Sequence, residues 1–182
     1  MARIPLDHVP SLFLRIMTGY SKRKYGKVLD PGLAMMHNPR VLFAWLRHET
    51  AVGKFRSVPP TLSALAVMGA SATIGCSWCM DFGYWEYHHQ GVDPAKLRAV
   101  PQWRTATVYS EAERDVLEFA EAMTATPPAV TDELVDRLRQ NLSPAQLAEL
   151  TYLIGVENQR SRVNAAMGLT SQGFKETCSI GG

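Results

Sequence analysis

Cys76 and Cys79 stand in "SATIGCSWCMDFGYWEYHHQG", residues 71–91, as a C-x-x-C pair, with His88 and His89 nine and ten positions past the second cysteine. Three readings compete: a redox dithiol, a zinc site, or two buried cysteines with no chemistry. Position favours the dithiol. Gly75 marks a helix end just before Cys76, so the pair opens the next helix. Free N–H groups and the positive end of the helix dipole stabilise a thiolate there. Three residues of spacing in a first helical turn bring the sulfurs within disulfide range. One cysteine can then attack an oxidised substrate, and the other can resolve the product as an intramolecular disulfide.

Zinc has the right residue types in Cys76, Cys79, His88 and His89. On one continuous helix, however, the histidines lie about 13–18 Å from the cysteines along the axis. Adjacent histidines also project about 100° apart. His88 and His89 are therefore expected to form an exposed helix end, and no metal is expected. Glu86 follows Cys79 at i+7 on the same face as Gly83 and is the carboxylate expected near the thiols. Asp81 is read as pointing away, a negative charge favouring the first turn. Glu49 is a second carboxylate candidate, and Cys178, in a Gly/Ser-containing tail, is read as peripheral.

The elements that position these residues read as helices almost throughout. "HNPRVLFAWLRHE" has Asn38 as N-cap and Pro39 at the first helical position, with Val41, Leu42, Trp45 and Leu46 as an apolar stripe. "TLSALAVMGASATIG" follows the Pro59–Pro60 break and ends at Gly75. Its Gly69–Ala72 run is small enough for another helix to approach closely. Ser110 and Glu113 form a capping box before "AERDVLEFAEAMTA", and Pro127–Pro128 stops that helix. Thr131 and Ser143 open two more. No alternating strand pair flanks a hairpin turn. The expectation is an all-α, single-domain helical bundle. It comprises an N-terminal helical segment over 1–58, a core over 59–170 and a tail over 171–182.

The last long helix, "TYLIGVENQRSRVNAAMGL", turns polar partway along a face that begins apolar. A polar group on a core stripe must be hydrogen-bonded or it costs about 1–3 kcal/mol. The run is read first as an interface or structural network, and second as the lining of a pocket.

The chain has 182 residues, 46% hydrophobic and 20% charged, with a net charge of +2. That balance does not call for nucleic acid, and the Lys22, Arg23, Lys24, Lys27 cluster reads as a solvated turn. No run reaches the roughly 18 apolar residues of a membrane span. Pro5, Asp7, Pro10 and Arg15 break any signal-peptide core. A cytoplasmic location is expected, where a close cysteine pair points to chemistry more than to a permanent structural disulfide.

Five blocks stand in a specific order: "PPTLSALAVMGAS", "GCSWC", "GVDPAKLRAVPQW", "SEAERDVLEFAEAM" and "LAELTYLIGVENQRSRVNAAMGL". Together, from about Pro59 to Gly168, the chain resembles the carboxymuconolactone decarboxylase family within the alkylhydroperoxidase D-like superfamily. The resemblance implies an all-helical fold and a homo-oligomer, a trimer or larger, with the C-x-x-C helix beside a cleft near a subunit contact. In the peroxidase branch it implies Cys79 as attacking thiol and Cys76 as resolving thiol. The substrate would be a small hydroperoxide, a thiol reductant would restore the pair, and no cofactor is needed. Two relay positions of that branch are changed. The histidine expected four residues past the second cysteine is Gly83, and the glutamate expected twelve residues before the first is Ala64. Proton relay of that kind supplies about 10²–10⁴-fold, which leaves Glu86 as the nearby carboxylate. Two other readings stay open: a non-redox enzyme gripping a small carboxylate with Arg160 or Arg162, and a non-enzymatic helical oligomer keeping a residual dithiol.

Overall fold

The computed structural model describes residues 2–178. Ten α-helices follow in order: α1 (Leu12–Tyr25), α2 (Asp30–Met35), α3 (Pro39–Val52), α4 (Pro60–Ile74), α5 (Ser77–His89), α6 (Pro94–Ala99), α7 (Glu111–Thr124), α8 (Asp132–Asn141), α9 (Pro144–Met167) and α10 (Phe174–Cys178). A 3-10 turn, Val100–Gln102, follows α6, and the described residues contain no strand.

Local chemistry sets the helix starts. Asn38 Oδ1 accepts from the N–H of Arg40 at 3.1 Å, with Pro39 in the first turn of α3. Ser110 and Glu113 close a reciprocal capping box at α7. The Thr131 hydroxyl accepts from Leu134 N–H at 3.3 Å to open α8. Each such cap satisfies N–H groups that the helix itself leaves unpaired.

The chain divides into two compact units, one running through Lys54 with Asn164–Leu169, the other Phe55–Val163 with the segment from Thr170. The short 164–169 stretch belongs to the N-terminal unit. In that first unit α1 buries no residue, and Val9, Leu12 and Ile16 are largely exposed.

The second unit holds the main core, built on α4. Residues Ala64–Ser71 of that helix are all buried, so it is apolar all round. Such a helix needs partners on several sides, and α7 and α5 supply them. The approach of α4 to α7 requires a glycine. A Cβ on Gly69 would stand 3.2 Å from Ala120 Cβ and 3.3 Å from Leu117 Cδ2. Gly75, at φ +81°, ends α4 in the left-handed conformation and turns the chain into the cysteines.

Candidate active site

Cys76 is the N-cap of α5 and Cys79 lies in its first turn, so the turn after Gly75 delivers both sulfurs to one helix start. They are joined as a disulfide with Cα atoms 5.3 Å apart. The Cys76 sulfur also accepts the N–H of Cys79 at 3.2 Å. Both cysteines are buried.

The second sulfur has a polar partner from far along the chain. Ser161 Oγ, on α9, lies 3.3 Å from Cys79 Sγ, and the same hydroxyl is 2.7 Å from Glu157 Oε1 one helical turn earlier. Ser71 Oγ on α4 donates to that carboxyl oxygen at 2.8 Å. Arg160 reaches the other oxygen, Oε2, at 3.5 Å. Glu157 is only 3% exposed. Burial pushes its carboxyl above the ordinary range, against the opposing pull of Arg160, Ser161 and Ser71. A buried carboxyl raised in this way takes up a proton more readily than an ordinary carboxylate, as proton carriers in active sites do.

The polar run of α9 thus contains a buried pair, Glu157 and Ser161, that reaches the cysteines, while Gln159 is exposed. Arg160 is engaged with Glu157, and Arg162 is exposed, with Nη2 3.4 Å from the Thr124 carbonyl. The carboxyl tied to Cys79 through a hydroxyl is Glu157. Glu86 sits half-buried seven residues past Cys79, about 10 Å further along the helix axis at 1.5 Å per residue. Glu49 lies on α3 in the other unit. The two changed relay positions are occupied by packing. Ala64 is fully buried in the core, and a Cβ on Gly83 would already be 3.4 Å from Met68 Cγ. Position 83 therefore faces Met68 of α4 at van der Waals contact. Ser161 was missed in the sequence because its contact with Cys79 spans 82 residues; only the Glu157–Ser161 spacing of four marked the two as helix-face neighbours.

Three expectations are corrected. Asp81 does not merely decorate the first turn: it is 6% exposed and its carboxylate accepts the N–H groups of Gln172, Phe174 and Lys175 at 2.9, 3.0 and 2.7 Å. It therefore ties the C-terminal segment onto α5. Cys178 is not peripheral, because α10 packs on α5 and places it partly buried against the core. His88 and His89 do not diverge. One nitrogen of each and Cys178 Sγ lie within 4.8 Å of one another. Both rings lean back over the preceding turn, His88 stacking on Tyr84 and His89 against Trp85, as helical side chains tend to do.

Asp81 gives a pH prediction. Burial pushes its carboxyl up, but the N–H groups of Lys175, Phe174 and Gln172 and the Ser171 hydroxyl outweigh it, so the group titrates below the ordinary 3.8. A depressed carboxylate contributes stability that is present above the unfolded value and lost as pH falls through the folded one. Acid unfolding below about pH 4 should accordingly shift to higher pH in Asp81→Asn. Neutral-pH stability should drop by about 1.5–3 kcal/mol, with α10 losing amide protection first in hydrogen exchange.

An all-helical fold presenting a C-x-x-C disulfide at a helix start defines the class of the protein, a helical protein with a candidate redox dithiol. Within it, the chain belongs to the carboxymuconolactone decarboxylase family. That family's model matches residues 39–122, and the uncharacterized protein YnjA of Escherichia coli (strain K12) is 32% identical over 176 residues, 93% of each chain. Two solved structures share the fold. A cysteine-to-alanine variant of the debrominase Bmp8, in complex with 2,3,4-tribromopyrrole, superposes with a TM-score of 0.81 at 23% identity, covering 96% of this chain and 94% of that one. An uncharacterized peroxidase-related protein from Ralstonia eutropha JMP134, described as an alkylhydroperoxidase AhpD core, gives 0.81 at 17% identity over 96% and 94%. No described helix is long and apolar enough to cross a membrane.

Proposed function

We propose that the protein is a thiol-dependent peroxidase in which Cys79 attacks a small organic hydroperoxide and Cys76 resolves the product. The observation that carries this reading is Ser161 Oγ, set between Cys79 Sγ and the buried carboxyl of Glu157. In the reduced protein the Cys79 S–H donates to Ser161 Oγ while Ser161 donates to ionised Glu157. A concerted shift along these two bonds leaves a Cys79 thiolate and a protonated Glu157. The thiolate sulfur attacks the terminal peroxide oxygen, the O–O bond breaks, and the departing alkoxide takes a proton to leave as the alcohol. Cys79 is now a sulfenic acid. The Cys76 thiolate, favoured by its place at the helix start, attacks that sulfur; hydroxide leaves and is protonated to water as the disulfide forms. A thiol reductant returns two electrons and two protons. Ser161 and Glu157 thus take the place of the relay that Ala64 and Gly83 lack.

The chain is proposed to act as a homo-oligomer, which the exposed apolar residues of α1 support. The test of function is to mix reduced protein with a slight excess of cumene hydroperoxide and count free thiols with time. Two thiols per chain should disappear rapidly and Cys178 should remain. Slow or absent loss would overturn the peroxidase reading and leave the non-redox alternatives.

A second reading has its own support. Trp78, between the cysteines, stacks on Phe82 at 5.0 Å, and Phe82 meets Phe174 edge-on at 5.3 Å. This cluster puts aromatic rings next to the dithiol, and a flat halogenated ring would have to displace part of their packing, since Trp78 is 8% and Phe174 1% exposed. Reductive dehalogenation uses the same electrons: the carbon–bromine bond is replaced by carbon–hydrogen, bromide and a proton are released, and the two thiols become the disulfide. Bromide release from a bromopyrrole at a rate above that from hydroperoxide would favour it.

A further inference from the structure

The C-terminal helix brings a second set of chemically capable side chains together, away from the disulfide. Asp81 holds the N–H groups of residues 172, 174 and 175, and Phe174, 1% exposed, plugs against Phe82 and Trp85. Cys178 is therefore delivered to the end of α5 by a segment anchored at two points. There it meets the side chains of His88 and His89, with one donor atom from each of the three residues within 4.8 Å of the others.

We propose that His88, His89 and Cys178 form a zinc site with three protein ligands and an open fourth position. Two imidazoles and a thiolate are ligands that zinc accepts, and three protein ligands are its usual number where a position stays open. Tetrahedral zinc with bonds of about 2.0–2.3 Å needs donor atoms about 3.3–3.6 Å apart, so the trio must close by about 1 Å. Binding the metal requires that movement of Cys178 and His88 towards the exposed ring of His89. The ring of His89 is also set in the right form. Its Nδ1 lies 2.7 Å from the Trp85 carbonyl. A carbonyl can only accept, so Nδ1 carries the hydrogen and Nε2 keeps its lone pair for a metal. An outer hydrogen bond of this kind commonly fixes the tautomer of a metal-binding histidine. The His88 ring is held by its stack on Tyr84.

The site stands apart from the peroxidase reading, and its test is arranged to keep them separate. The full chain, with Cys76–Cys79 kept as the disulfide so that only Cys178 is a free thiol, is titrated with Co²⁺ as a spectroscopic probe. One cobalt per chain should bind with a sulfur-to-metal charge-transfer band, and zinc should displace it. Cys178→Ser should abolish the band. His89→Asn, at an exposed position that tolerates change, should weaken uptake at least about tenfold while circular dichroism remains that of the folded protein. Absence of stoichiometric uptake by the wild-type chain would overturn the site. So would cobalt binding that lacks the sulfur band or survives both substitutions unchanged, or cobalt that zinc fails to displace.

Discussion

Cys79→Ser is expected to abolish hydroperoxide turnover completely, with the helical fold intact. The serine hydroxyl still fits beside Ser161, but it is far less acidic than a thiol and does not become the nucleophile that opens an O–O bond. Cys76 remains at the helix start with its favoured ionisation, yet the structure gives its sulfur no link to Glu157 comparable to that of Cys79 through Ser161. Cys76→Ser makes the informative contrast. There Cys79 should react once with peroxide and stop as a sulfenic acid, trapped by a dimedone-type reagent, with no intramolecular disulfide. Stopped-flow peroxide consumption and mass spectrometry of the trapped adduct distinguish the two variants. Full activity in Cys79→Ser would sink the assignment of roles.

Glu157→Gln should slow the reaction of reduced protein with peroxide by about 10²–10⁴-fold, the usual range for a lost general acid–base group. The amide keeps the size of the carboxyl and can still bond Ser71 and Ser161, but it does not take up the thiol proton. The pH profile separates this role from a merely structural one. In the wild type the rate should fall as pH drops through a Glu157 ionisation lying above the ordinary 4.5. In the variant that limb should vanish, leaving a rate that climbs only with the thiol's own ionisation. Ser161→Ala should resemble Glu157→Gln, because it cuts the same two-bond path. Unchanged rates and an unchanged acid limb in both variants would remove the relay from the mechanism.

Much of the fold could be read directly from the residues, because its signals are local. Asn38 with Pro39, Ser110 with Glu113, and Gly75 each act within four residues of the backbone they shape. The cysteine pair was legible for the same reason. What was not legible depends on contacts between distant segments. The partner of Cys79 lies 82 residues away, and the N–H groups held by Asp81 lie 91 to 94 residues on. Neither pairing leaves a spacing in the sequence. The two histidines do stand at the end of α5, with His89 exposed, but the convergence of their donor atoms is hidden for another reason. An ideal-helix projection gives the direction of each Cβ, whereas the ring tips are steered by rotamers and by the residues beneath them, here Tyr84 and Trp85. The carboxylate expected at Glu86 followed the face of α5, but the group linked to the sulfur arrives from α9.

Glu157 has a cost to the fold that its place beside the sulfurs does not reveal. A carboxyl raised by burial is most compatible with folding below its unfolded value of about 4.5. As pH rises through its folded value, charge must be held inside the protein, and that stability is lost. Above that folded value the residue proposed to serve turnover therefore works against the native state, and Glu157→Gln should melt higher there even as it slows the reaction. Selection for heat resistance alone would discard this side chain early. On the proposed relay, its presence in the core marks a compromise between activity and stability.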